Sequence, residues 1–433
     1  MNILFSDITI LPPDGEVRDN AFVGVREGRI AYIGPTAPDG DWQRVISGRE
    51  KLLMPGFYNS HAHSPMTVMR GYGENLALQE WLNTRIFPFE DNLYSEAVYY
   101  ATLLAMAESF RYGIVSTSDM YFFSEDMVRA YLSSGAKANV ARSLAGFDED
   151  EEMYEMTSFK EAKHLFEEYN GAADGRIIVD MSLHMELTST ERLARQLAAY
   201  SSEIGARMQV HISETESEHE GCKERHEGRT PVAYFNDIGL FDSPTTAAHC
   251  VWVEAEDRAI LREKGVTVAS CPVSNLKLAS GVADIPALME AGVAVALGTD
   301  SVASNNSLNF VEEMKFFALV NKERYRDPTL ITPRQTFHAA TRAGALGQGR
   351  ADCGLLKEGY KADLIALDLS APGMHPAFDL YSNLVYSASG SDVALTMIDG
   401  NVVYENGDYL TIDVERAVHE TKKACAKISA QVG

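Results

Sequence analysis

Residues 52–63 read LLMPGFYNSHAH: an apolar run over 52–58, then a polar end carrying His61 and His63. The apolar part has the length and composition of a buried strand. In extended chain, residues two apart face the same way, so both imidazoles can reach one metal ion. Working outward, the pattern recurs. Short apolar stretches predict strands over 52–58, 113–117, 138–142, 177–183, 208–211, 246–249, 266–269 and 293–297. Stretches with helical character lie between them, over 97–111, 190–202, 255–263 and 309–320, and Thr332-Pro333 predicts a further helix start. Eight strands alternating with helices predict a closed (β/α)8 TIM-type barrel. An open doubly wound sheet is the alternative. It calls for a glycine-rich loop after an early strand, whereas the glycine-rich stretch 344–349 comes late and follows a helix.

The chain's two ends read differently. Residues 23–25 and 30–33 flank the turn Glu27-Gly28, and 397–398 and 402–404 flank Asp399-Gly400, with 362–367 a further strand and Asn406-Gly407 a further turn. A hairpin cannot bury its apolar face alone, so both ends are expected to share one small sheet domain. The expected division is 1–55 and 351–433, with a terminal helix, for that domain, and 56–350 for the barrel.

Strand C-termini converge on one face of a barrel, so distant residues meet there. His61 and His63 end the first strand, His211 the fifth, His249 the sixth, and Asp300 follows the eighth. An isolated His-x-His also occurs by chance in loops. With His211 and Asp300 at other strand ends it predicts a single metal site, suited to Zn2+ with Fe2+ as the alternative. Such an ion would activate a water molecule. No lysine ends the third or fourth strand in SLHMELT or NVARSL, so a carboxylated bridge between two metals is not expected.

Glu214, three residues past His211 in HISE, is the candidate general acid/base, although Glu216, Glu218 and Glu220 make that segment look like a solvated acidic loop. His249 is the candidate to bind or deprotonate the attacking water, and Asp300 joins these two as a catalytic candidate. Trp81 and Phe87 can offer flat contact to a ring, and Glu90 in FPFED can accept hydroxyl hydrogen bonds. Arg142 and His184 end strands three and four and should point to the mouth. Cys250 and Cys271 near this face are expected to be structural.

The 433 residues carry 62 acidic and 38 basic side chains, a net charge of −24, which argues against nucleic acid as a partner. With 45% hydrophobic and 23% charged residues the chain reads as globular rather than disordered. The five cysteines are scattered with no CxxC pair, which predicts a reducing, cytoplasmic setting. MNILFSDITI does not read as a signal peptide, and no apolar run approaches a membrane span.

The stretches NSHAHSPMTVMRGYGENLALQEWL (59–82), HISE, AAHCVWV (247–253), SNLKLASG (274–281), GTDSVASNNSLN (298–309) and KEGYKADLIALD (357–368) together resemble the amidohydrolase superfamily. Within it they most resemble the methylthioadenosine/S-adenosylhomocysteine deaminases. The resemblance implies a distorted (β/α)8 barrel beside a β-sandwich built from both termini. It also implies one zinc on His61, His63, His211 and Asp300, with Glu214 as proton shuttle and His249 orienting the water. It implies nucleoside contacts from Trp81, Glu90, His184, Glu214 and Ser304, with Glu90 on the ribose hydroxyls and Arg142 near the sugar and its 5′ substituent.

The implied reaction is hydrolytic deamination of an adenine nucleoside such as methylthioadenosine, 5′-deoxyadenosine, adenosine or S-adenosylhomocysteine. The resemblance also implies that small molecule as the partner and a homo-oligomeric assembly. One departure bears on the substrate: residues 145–164, AGFDEDEEMYEMTSFKEAKH, are acid-rich and lack the second arginine common in that loop. A missing cation should weaken binding of an amino-acid carboxylate. The competing functions are deamination of a free base or pterin, removal of a triazine substituent, and a non-enzymatic binding barrel.

Overall fold

Pro55 and Gly56 divide the stretch 52–58 between two sheets, which corrects the expected first barrel strand. Lys51–Pro55 pairs antiparallel with Leu364–Asp368 in the terminal sheet, and the barrel begins only at Phe57. The reason is local. Proline cannot donate to a ladder at its own position, and Gly56 lies so close to Val115 that an added Cβ would sit 2.3 Å from its Cγ1. The structure, a computed structural model, describes residues 1–13 and 15–432.

The barrel strands are β1 (Phe57–Ala62), β2 (Ile114–Tyr121), β3 (Lys137–Leu144), β4 (Ile177–Leu183), β5 (Met208–Ile212), β6 (Thr245–His249), β7 (Thr267–Ser270) and β8 (Ala294–Leu297). They form an eight-stranded parallel sheet in chain order, as the alternation of apolar strands and helices predicts. The seven later strands fall within a few residues of their expected positions. The helices expected at 97–111, 190–202, 255–263 and 309–320 are Ser95–Arg111, Glu191–Ile204, Ala255–Glu263 and Phe310–Tyr325. Thr332 caps Pro333–His338, accepting the N–H of Gln335.

Side chains rather than a regular ladder join β8 to β1. Asn59 accepts the Thr299 N–H at 2.9 Å and donates to its hydroxyl at 2.7 Å, and the Asp300 N–H reaches the His61 carbonyl at 3.0 Å. Gly298 permits this approach, since a Cβ there would stand 2.9 Å from His61. The barrel is therefore distorted at the point where two ligand candidates meet.

Strands from both termini form one mixed nine-stranded sheet. Its order runs Asp408–Tyr409, Asn401–Glu405, Val393–Ile398, Leu364–Asp368, Lys51–Pro55, Ile3–Ile10, Arg18–Arg26, Arg29–Gly34, and Arg44–Ser47 pairs with Ile3–Ile10. The Glu27-Gly28 and Asp399-Gly400 turns have both residues at positive φ, as such tight hairpins require. Ile3, Phe5, Val23, Leu364, Leu395 and Met397 share a core separate from that of the barrel. Lys137 at the start of β3 ties the two units together. Its buried ammonium reaches Asp363 and, at 2.7 Å, Asp399. The helix Val414–Val432 leaves the sheet and packs on Ser95–Arg111 of the barrel. All five cysteines are free. Among the described residues no helix is long and apolar enough to cross a membrane.

Candidate active site

The C-terminal ends of β1, β5, β6 and the turn after β8 bring His61, His63, His211, His249 and Asp300 together. His63 Nε2 lies 3.3 Å from His211 Nε2 and 3.4 Å from Asp300 Oδ1, and His61 Nε2 lies 3.5 Å from the same oxygen. The far sides of two rings are fixed by carbonyls: His63 Nδ1 donates to Met120 O at 2.6 Å and His211 Nδ1 to His184 O at 2.7 Å. A neutral ring so held has a lone pair on Nε2. Two such lone pairs then face each other across 3.3 Å, which is repulsive unless a cation lies between them.

Burial reinforces this. Burial first, with the neighbouring imidazoles, lowers the His61 pKa to about 4 against the opposing pull of Asp300, and holds His211 well below its ordinary value. His61 Nε2 is buried with no hydrogen-bond partner. Asp300 is buried, which by itself would raise its pKa, but the surrounding histidines outweigh this and hold it well below the usual carboxylate range. One donor atom each of His61, His63 and His211 lies within 4.8 Å of the others, as do those of His61, His249 and Asp300, and such imidazole and carboxylate donors can hold a single zinc.

Asp300 is itself fixed. Its Oδ2 accepts from Ser274 at 2.6 Å and Ser304 at 2.8 Å, leaving Oδ1 toward the histidines. Asp300 and His249 both sit at positive φ, 59° and 70°, and Ser213 beside Glu214 at 49°. Non-glycine residues held there signal a site that the surrounding fold over-determines.

Glu214 and His249 flank this cluster, with Glu214 Oε2 3.7 Å from His249 Nε2. Ser280 donates to Glu214 Oε1 at 3.3 Å, and His249 Nδ1 donates to Asn275 Oδ1 at 2.9 Å. Burial raises the Glu214 pKa. Burial also opposes a charge on His249, yet Glu214 and Asp300 more than offset it and raise its pKa. A carboxyl with raised affinity for a proton beside an imidazole is suited to proton transfer.

The cluster lies in a cavity of about 580 Å³ that Trp81, Phe87, Glu90, Arg142, His184 and Ser304 also line. Their polar groups have different partners. Tyr121 donates to Glu90 Oε1 at 2.5 Å, leaving the other oxygen without that bond. His184 Nδ1 meets Thr188 Oγ1 at 2.9 Å, while its carbonyl steers His211. The Ser304 hydroxyl is bound to Asp300, and Arg142 donates to Glu161. Cys250 and Cys271 are fully buried, with thiol pKa values pushed up by burial.

Sequence reasoning missed Glu218, Tyr121, Ser274, Asn275 and Ser280. Glu218 is buried in the first turn of helix Glu216–Arg225, not part of a solvated acidic loop. Its signal was the i, i+4 spacing from Glu214. The others had none beyond their place in the quoted motifs.

The parallel barrel and the donor cluster at its strand ends define a metal-dependent hydrolase. The chain belongs to the amidohydrolase family, whose model matches residues 52–403. Over 425 residues it is 38% identical to the 5′-deoxyadenosine deaminase of Methanosarcina mazei, covering 98% of this chain and 97% of that protein. It is 35% identical over 433 residues to the 5-methylthioadenosine/S-adenosylhomocysteine deaminase of Syntrophomonas wolfei, covering 99% of each. A solved structure of an adenosine deaminase from Xanthomonas campestris with bound zinc superposes with a TM-score of 0.92 at 29% identity, covering 99% of this chain and 98% of that one.

Proposed function

We propose that the chain is a zinc-dependent deaminase that converts adenine nucleosides to the inosine analogue and ammonia. The observation that carries this is the Glu214–His249 pair, 3.7 Å apart, beside His63, His211 and Asp300 on the lining of the cavity, with His61 in donor reach of them. The near full-length likeness to three nucleoside deaminases supports it. His61, His63, His211 and Asp300 would hold the zinc, which when bound lowers the pKa of a water molecule and stabilises developing negative charge.

The chain's own residues then do the following. His249, its ring fixed by Asn275, presents Nε2 to the attacking water. Glu214 takes the water's proton and delivers it to N1 of the purine as the C6–O bond forms. The proton left on the new C6 hydroxyl, passed through the same carboxyl to the amino nitrogen, lets C6=O form as the C6–N bond breaks and ammonia leaves. Glu90 accepts the ribose hydroxyls, Trp81 lies against the nucleoside, and His184 adds a polar contact. A homo-oligomer and a cytoplasmic location accompany this reading, supported by the family likeness and by five free, dispersed cysteines respectively.

The test is ammonia release and the ultraviolet shift on incubating zinc-loaded protein with 5′-deoxyadenosine, methylthioadenosine, adenosine and S-adenosylhomocysteine, beside guanine and a pterin. Turnover of the nucleosides, with a loss in E90A confined to ribosides, is expected. Turnover only of free bases, or of nothing, would overturn the reading.

A further inference from the structure

Four carboxylates line the cavity, those of Glu90, Asp91, Glu214 and Asp300, but among the described residues only one lysine or arginine does, Arg142. Its position relative to the proposed ribose anchor follows from the ladder. Tyr121, which holds Glu90, is the register partner of Arg142 across β2 and β3. The next residue, Phe122, lies under the Arg142 guanidinium, 5.0 Å from its ring centre. A nucleoside whose hydroxyls meet Glu90 therefore has this one cation beside its sugar.

That cation is already engaged. Arg142 Nε donates to Glu161 Oε2 at 2.6 Å and Nη1 to the Ser143 carbonyl at 2.5 Å. The arginine is largely covered, 15% exposed, while Glu161 on helix Thr157–Tyr169 is 51% exposed. Lys160 and Lys163 on the same helix and Arg192 on helix Glu191–Ile204 are paired too. Lys160 reaches Glu155, Lys163 reaches Glu167, and Arg192 reaches Glu152 and the carbonyls of Glu149 and Asp150. Leu78, Leu82, Ile86, Phe87 and Phe147 give the same cavity apolar walls.

We propose that Glu161 is a specificity-determining residue. By neutralising Arg142 it makes the cavity select adenine nucleosides with a small uncharged 5′ end over those with an amino-acid tail. The proposal rests on the deaminase reading above and deepens it. A free α-carboxylate brought beside Arg142 meets a cation that is already paired and is repelled by Glu161. A methyl or methylthio group loses nothing there and buries apolar surface. Glu161 touches no reacting atom and acts only through Arg142.

The test compares kcat/KM for 5′-deoxyadenosine and S-adenosylhomocysteine in the wild type, E161Q and the double variant R142Q/E161Q. The wild type should have the higher kcat/KM on 5′-deoxyadenosine. E161Q should raise kcat/KM for S-adenosylhomocysteine about fivefold, through KM, the scale of a part-exposed charge pair. That gain should shrink in high salt and vanish in R142Q/E161Q. Equal use of both substrates by the wild type, or a parallel change for both in E161Q, overturns this proposal while leaving the deaminase reading intact. No turnover of either nucleoside by the wild type overturns both.

Discussion

The carboxylate of Glu218 accepts the backbone N–H of Glu214 at 2.7 Å and that of Ser213 at 2.9 Å. It thus clamps the main chain that carries the proposed proton carrier, at a point where Ser213 adopts a left-handed φ of 49°. Burial, with Glu214 next, raises the Glu218 pKa to about 7. Glu218 has no direct bond to the donor cluster, so its effect should fall on the position of Glu214 rather than on metal retention.

E218Q keeps the shape but replaces one acceptor oxygen with a donor facing an N–H. The expected result is a fall in kcat of about 10–100-fold, the range for residues that support a reactive group. Metal content measured by mass spectrometry should be unchanged. A variant with full activity, or one that loses its metal in proportion to its activity, would refute this role.

Glu90 predicts a pH dependence. Burial, partly offset by the Tyr121 hydrogen bond, raises its pKa from 4.5 to about 7. Below that value the free protein carries Glu90 protonated, and a protonated carboxyl is a poorer acceptor for two ribose hydroxyls. For ribosides kcat/KM should therefore fall as pH drops below about 7, approaching tenfold per unit, and E90Q should lack this limb. The linkage sign for stability is consistent. A raised carboxyl pKa means the folded state prefers the protonated form, so the cost of ionising part-buried Glu90 is absent below its unfolded value and is complete above about 7.

Lys137 predicts a stability effect remote from catalysis. Its side chain is 2% exposed and its partner Asp363, which also accepts from Tyr58 at 2.6 Å, is fully buried. K137M would leave that carboxylate uncompensated between the barrel and the terminal sheet. The expected loss is about 3–5 kcal/mol in urea denaturation, with partial recovery in K137M/D363N. An unchanged midpoint would show that the pair does not join the two units.

The barrel was legible because its strands are short, apolar and end in polar residues, and the hairpins because Glu27-Gly28 and Asp399-Gly400 demand positive φ. The split at Pro55-Gly56 was not, since one apolar run hid two strands whose partners, Leu364–Asp368 and Ile114–Tyr121, lie far along the chain. At the site, the strand-end positions of His61, His63, His211, His249 and Asp300 announced a cluster. What holds them did not show, because Met120 O and His184 O are backbone atoms and any residue type supplies them. Glu218 looked like one more acid in an acidic segment. Only its helix turn reveals that it points inward at Glu214.

The proposal of one cation on four donors is tested most directly by anomalous X-ray scattering at the zinc edge, from crystals of zinc-loaded protein. A single peak is predicted, about 2.0–2.2 Å from Nε2 of His61, His63 and His211 and from Oδ1 of Asp300. No peak at that point, a peak bound by other residues, or two peaks in the cavity would contradict it.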